Sequence, residues 1–203
     1  SHAAREGGSH GLVEPIRGVE LNISCPNVKE GGIQFGTDPR QVAEITAALR
    51  RVCRRNLLIV KLSPNVTDIT APARAAVEAG ADALSLINTF TALAIDVEAR
   101  RPILANQTGG LSGPAIRPIA VHMVRRVARE IAAPAGVPVI GMGGIQTARD
   151  AIEFLLAGAT ALALGTALFV DPAVITDIQD GIADYLRRHG FARVTDIVGA
   201  LED

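Results

Sequence analysis

Five times along this chain a short apolar run closes on a polar or glycine-containing pair and gives way to a stretch with helical spacing. No other feature restricts the fold as tightly. The first run starts at Val19 and stops near Cys25, because Pro26 cannot continue a ladder. Val19, Leu21 and Ile23 fall on one face of it, and Glu20, Asn22 and Ser24 on the other. The remaining runs are Leu57–Leu62, Ala83–Thr89, Val137–Ile140 and Ala161–Leu164. Leu57–Leu62 is apolar almost until Lys61, as strands covered on both faces of a parallel sheet are.

The expected helices have recognisable ends. One opens at Asp38-Pro39, an N-cap followed by Pro at the first helical position, and runs to about Arg54. The next is capped by Thr67 or Asp68 and ends at Gly80. Beyond a turn-rich excursion from Phe90 to Gly113, helices are predicted over Pro114–Ala132, from a Thr147 cap to Leu156 with Gly158 as the stop, and over about 172–188 and 194–201.

Strict βα alternation implies a parallel sheet with right-handed crossovers. An open doubly wound sheet and a (βα)8 barrel both fit, and both place sites at the carboxyl ends of strands. The last two strands end in Gly143-Gly144 and Gly165-Thr166, each followed by a helix. The seventh and eighth strands of a phosphate-binding barrel end in this way. The fold class expected is therefore α/β, a (βα)8 TIM barrel represented by its strands 4–8. Residues 1–18 read as an irregular lead-in and residues 19–203 as the C-terminal part of the barrel.

Composition narrows the function. A net charge of −1 without a basic face argues against a nucleic-acid partner. Two Cys without framework spacing, and a polar start without a signal-peptide pattern, point to a reducing compartment, the cytoplasm. The uncharged run Phe154–Val170 is interrupted by Gly158 and Gly165, and reads as a helix end, a turn and a buried strand instead of a membrane span. No metal-ligand spacing appears. Of the 20 basic residues all but Lys29 and Lys61 are Arg, so a Lys inside a strand calls for a specific reason.

Set side by side, the strand ends describe a ligand. Backbone donors at Gly143-Gly144 and Gly165-Thr166 suit a phosphate dianion. Lys61 places a cation where negative charge on a reduced flavin or an enolate would develop. The amides of Asn22, Asn27 and Asn88 offer donor–acceptor pairs to a planar heterocycle carrying C=O and N–H groups. With no His beside it in sequence, the Cys25 thiol fits proton abstraction next to a carbonyl better than hydrolysis. Cys53, near a helix end, reads as inert.

These residues carry a resemblance. Leu21-Asn22-Ile23-Ser24-Cys25-Pro26-Asn27-Val28-Lys29, with Gly31-Gly32 and Phe35-Gly36-Thr37-Asp38-Pro39, resembles the active-site loop of dihydroorotate dehydrogenases, most closely the NAD-linked class 1 branch. Val60-Lys61-Leu62-Ser63-Pro64-Asn65, Ile87-Asn88-Thr89, Thr108-Gly109-Gly110-Leu111-Ser112-Gly113-Pro114, Gly141-Met142-Gly143-Gly144-Ile145 and Gly165-Thr166-Ala167 resemble that family's later motifs, in order. The resemblance spans about residues 19–175. It implies an FMN-binding barrel that oxidises dihydroorotate to orotate in pyrimidine biosynthesis. Cys25 is then the base for the C5 proton, while the C6 hydride passes to FMN. Asn22, Asn27, Asn88 and Thr89 would hold the pyrimidine. Asn22, Lys61, Ile87, Gly113, Gly143, Gly144, Gly165 and Thr166 would hold FMN.

The resemblance also implies a homodimer and a partner subunit, with FAD and an iron–sulfur cluster, that passes electrons to NAD. No nucleic acid or membrane is expected to take part. The family's first three strands have no counterpart before Val19, so the match is to the C-terminal two-thirds. The alternatives are another pyrimidine-acting flavin barrel, like dihydropyrimidine dehydrogenase, or an inactive barrel fragment. The loop after Cys25 favours orotate chemistry.

Overall fold

The structure, a computed structural model, describes residues 16–24 and 32–202. Its elements run β1 (Gly18–Asn22), α1 (Gly32–Thr37), α2 (Pro39–Val52), β2 (Leu57–Lys61), α3 (Thr70–Glu78) and β3 (Ala83–Leu86). The excursion then holds four short strands: β4 (Phe90–Ala92), β5 (Ile95–Asp96), β6 (Arg101–Pro102) and β7 (Gly109–Leu111). A 3-10 turn at Pro114–Ile116 leads into α4 (Arg117–Val127), a π-helical turn at Ala128–Ala132 and α5 (Ala133–Ala135). The chain continues through β8 (Val139–Met142), α6 (Ala148–Ala157), β9 (Ala161–Ala163), α7 (Thr166–Val170), α8 (Val174–His189) and a 3-10 turn at Val194–Ile197.

The main sheet has the order β1-β2-β3-β8-β9, every pair parallel. That order follows the chain without reversal, whereas a doubly wound sheet reverses at a switch point. The helices likewise form one layer in sequence order: α2 packs on α3, α3 on α4, α4 on α6 and α6 on α8. Five strands in chain order with one helical layer outside are an arc of a (βα)8 barrel.

Alternation along the strands sorts the two faces. Leu58, Val60, Val139 and Gly141 are buried toward the helices, while Ile59, Lys61, Ile140 and Met142 are half-buried on the inner face. All four residues of the central β3 are buried. Phe154 of α6 is fully buried against β8 at Gly141, where an added Cβ would sit 2.8 Å from the ring and 2.9 Å from the Ala159 methyl. Glycine there lets helix and strand approach. Burying a side chain of that size is worth roughly 1.5–3 kcal/mol.

The caps form largely as the sequence predicts. Asp38 accepts from the Arg40 N–H at 2.9 Å with Pro39 behind it. Thr147 and Asp150 form a reciprocal capping box, and Gly158 ends α6 in the left-handed region. Asp68 accepts from the Thr70 N–H and hydroxyl, but the N-cap itself is Ile69; these bonds, with Arg126 nearby, hold its carboxyl below the usual range.

Several expectations need correction. β1 ends at Asn22 because the Asn22 carboxamide oxygen accepts from the Ser24 N–H and hydroxyl, turning the chain before Cys25. The loop expected through Gly36 contains α1. β3 stops at Leu86, although the Ile87 and Asn88 N–H groups still donate to Met142 and Leu62 carbonyls. The fourth strand of the sheet, β8, begins at Val139, two residues late, since Pro138 has no N–H to give the ladder. The helix from Pro114 runs past Ala132 to Ala135: its backbone widens to a π turn, and Ala133 N–H bonds the Ala128 carbonyl, just ahead of Pro134. The buried strand in Phe154–Val170 is β9, half-exposed because it is a sheet edge among the described residues, and Thr166–Val170 is helical. The expected helix 194–201 is a single 3-10 turn.

Candidate functional site

The inner face of β1 and β2 supplies the charged part of the site. In the parallel register Glu20 lies opposite Ile59 and Asn22 opposite Lys61, so all four share one face. The Lys61 Nζ stands 3.6 Å from Glu20 Oε1, a diagonal pair of partly buried groups. Together they present a compensated cation and anion to a cavity of about 330 Å³ at the carboxyl ends of the strands.

β3 delivers the next wall. Ile87, Asn88 and Thr89 follow its last residue and line the cavity. The Asn88 amide donates to the Ser24 carbonyl at 2.7 Å, tying this wall to the segment that leads into Cys25. Asn65 braces the wall from behind: its amide donates to the Thr89 carbonyl at 3.1 Å and its carbonyl accepts from the Thr91 N–H at 2.9 Å.

The opposite wall is closed by glycine-bearing loops. Gly143 and Gly144 after β8 have φ of +128° and +83°, and a Cβ on Gly144 would fall 2.6 Å from the Gly113 carbonyl. Only glycine lets these two loops touch. Gly165 after β9 differs. An added Cβ there meets nothing within 4 Å, so its backbone borders open space that a side chain would fill. Ser112 and Thr166 share a hydroxyl–hydroxyl hydrogen bond of 2.8 Å that joins the β7 end to the β9 end.

Lys61, Ile87, Asn88, Thr89, Gly113, Gly143, Gly144, Gly165 and Thr166 therefore meet around one cavity. Asn22 stands in register beside Lys61 but is not part of the cavity wall. Cys25 and Asn27 lie outside the described residues. Glu20, Ser112 and Gln146 line the cavity without having been singled out. Alternation with Asn22 was the signal for Glu20; nothing in the sequence marked Gln146. Cys53 is the C-cap of α2, away from this cavity.

Among the described residues no group of three or more His, Cys, Asp and Glu side chains converges in a way that could hold a metal ion. No helix among them is long and apolar enough to cross a membrane. The cavity offers glycine backbone with open space beside Gly165 on one side and the side chains of Lys61, Asn88 and Thr89 on the other.

The model of the family described as dihydroorotate dehydrogenase matches residues 12–186. Three proteins named dihydroorotate dehydrogenase B (NAD(+)), catalytic subunit, are similar over most of the chain. The one from Pelobacter propionicus is 56% identical over 94% of this chain and 61% of its own length. That from Phocaeicola vulgatus is 54% identical with the same two coverages. That from Porphyromonas gingivalis is 57% identical over 93% of this chain and 60% of its own. The chain thus spans about three-fifths of the length of these curated relatives. A crystal structure of dihydroorotate dehydrogenase from Eimeria tenella, in complex with ferulenol, superimposes with a TM-score of 0.75 at 26% identity, covering 91% of this chain and 54% of that one.

Proposed function

This chain belongs to the dihydroorotate dehydrogenase family, and on that premise we propose that it forms the FMN-holding face of a catalytic subunit that oxidises dihydroorotate to orotate in pyrimidine biosynthesis. The observation that carries the reading is the convergence of Lys61, Asn88, Thr89 and the Gly143-Gly144 and Gly165-Thr166 backbones on one cavity. FMN would supply the two-electron acceptor for the hydride from C6.

The chain's own residues do the rest. Gly143, Gly144, Gly165 and Thr166 hold the phosphate through backbone N–H groups. Ile87 and Gly113 pack along the flavin. Lys61, kept in place by Glu20, stabilises the negative charge that accompanies reduction. Asn22, Asn27, Asn88 and Thr89 orient the pyrimidine. Cys25, as thiolate, takes the C5 proton as the hydride leaves C6, so one C–C single bond becomes double. The subunit works in the cytoplasm as a homodimer. The "catalytic subunit" of the relatives' names supports a second subunit, here one carrying FAD and an iron–sulfur cluster that hands electrons to NAD. Leu93, Ile95, Val97 and Ile103 of the excursion are exposed and offer apolar surface to such partners.

A second reading, flavin binding without turnover by this chain alone, draws on the two unpaired sheet edges, β1 and β9, among the described residues. One experiment separates the two. The purified chain is loaded with FMN and mixed anaerobically with dihydroorotate while flavin absorbance is followed. The first reading expects stoichiometric FMN and bleaching, slowed by orders of magnitude in Cys25→Ser near neutral pH, because a hydroxyl is a far weaker base than a thiol of pKa about 8.5. FMN without bleaching selects the second reading, and no FMN binding overturns both.

A further inference from the structure

Arg117 and Asp150 contribute nothing to the cavity wall, yet each stands directly behind a loop that does. Asp150 is 4% exposed, the one acidic residue among the buried polar side chains of the described residues. One of its carboxylate oxygens accepts from the Gln146 and Thr147 N–H groups at 3.0 and 2.9 Å, which fixes the exit of the Gly143-Gly144 loop. Its other oxygen accepts from the Arg117 guanidinium. Arg117 opens α4, four residues after Gly113, and its Nε lies 3.3 Å from Glu153 Oε2. The Arg117 backbone N and Cβ are the atoms, besides the Gly113 carbonyl, against which Gly144 packs.

The guanidinium thus donates to Asp150 and lies within ion-pair distance of Glu153. What it does is join two loops: the turn at Ser112-Gly113 that leads into α4, and the turn from Gly143 to Thr147. Both loops line the cavity, on the side that the FMN reading gives to the phosphate.

We propose that Arg117 and Asp150 are positioning residues, an ion pair that holds the two phosphate-facing loops in register. This rests on the FMN reading above. The sign of the effect separates positioning from plain electrostatics. Asp150 is an anion, so removing its charge would by itself favour a phosphate dianion nearby. If Asp150 acts by holding the loops, removing the charge weakens phosphate binding instead. Asp150→Asn keeps an acceptor for the N-cap but turns one side of the group into a donor facing the guanidinium donors.

The test compares FMN with riboflavin, which lacks the phosphate, by fluorescence titration of wild type, Asp150→Asn and Arg117→Lys. Wild type should bind FMN at least about tenfold more tightly than riboflavin. Each variant should lose about tenfold in FMN affinity, about 1.4 kcal/mol, while riboflavin affinity stays within about twofold. A general loosening of the fold would weaken both ligands alike. Hydrogen exchange of the ligand-free protein gives a readout independent of flavin: amides of both loops, 112–117 and 143–147, should exchange faster together. FMN affinity unchanged or improved, equal losses for both flavins, or faster exchange in one loop only would overturn the proposal. A wild type indifferent to the phosphate would overturn the FMN reading, and the exchange data alone would then decide whether the ion pair joins the loops.

Discussion

The two halves of the cavity are made of different material. On the β1–β3 side the cavity is lined by the side chains of Glu20, Lys61, Asn88 and Thr89. On the β8–β9 side the loops that close it are carried by glycine backbone at Gly143, Gly144 and Gly165, with Gln146 and Thr166 beside them. A side-chain wall is altered by replacing a functional group and leaves the scaffold standing. A backbone wall has no group to remove, so it is altered only by adding bulk, and the consequence depends on what stands behind the Cα. On the function proposed above, the first half would select the ring and the second would grip the phosphate.

The largest effect expected from this contrast is at Gly144. Gly144→Ala forces a Cβ into the Gly113 carbonyl and a non-glycine residue into φ of +83°. We expect a stability loss of about 3 kcal/mol, at the high end of single substitutions, together with loss of FMN. Urea denaturation with flavin titration reads both. A loss under about 1 kcal/mol would mean that the two loops are not packed as described.

Gly165→Val sharpens the same contrast within the backbone half. An added Cβ there meets no atom within 4 Å. Stability should stay within about 1 kcal/mol of wild type, while FMN affinity falls tenfold or more because the side chain fills the ligand's space. A variant that retains FMN through dialysis as wild type does would place the phosphate elsewhere.

Lys61→Met tests the other half and should do least to the scaffold. The Lys61–Glu20 pair is partly exposed and worth about 0–1 kcal/mol. Its removal should lower the flavin reduction potential and slow flavin reduction by dihydroorotate, with melting temperature little changed. An unaltered potential would take Lys61 out of the site's electrostatics.

The same contrast governs what could be read from the sequence. Lys61 was conspicuous because this chain otherwise uses Arg, and Asn88 because a carboxamide ends an apolar run. The glycine pairs were visible by position, but not that Gly144 is needed for close packing and Gly165 for space. That distinction depends on Gly113, fixed only by the fold. Gly158, Asp38 and Thr147 marked helix ends through local chemistry, which a sequence displays. The π turn at Ala128–Ala132 and the 3-10 turn at Val194–Ile197 depend on packing against other elements, and local spacing does not show them. The Arg117–Asp150 pair escaped for the same reason: its partners sit on different helices.

The strand order also has a kinetic side. β1–β2, β2–β3 and β8–β9 each join neighbours separated by one crossover, whereas β3 must find β8 across the whole excursion and α4. Closing that longer loop carries the greatest chain-entropy cost in the sheet. The excursion reduces it, because β4 pairs antiparallel with β7 and brings Phe90 opposite Leu111. With that ladder formed, the chain between β3 and α4 behaves as a short connection, and each halving of effective loop length is worth about 0.6 kcal/mol. The hairpin therefore belongs to the folding route as well as to the rim of the site. Thr91→Gly, which weakens a ladder residue, should slow refolding more than it speeds unfolding in stopped-flow measurements; the reverse would mean that β3 and β8 meet before the excursion folds.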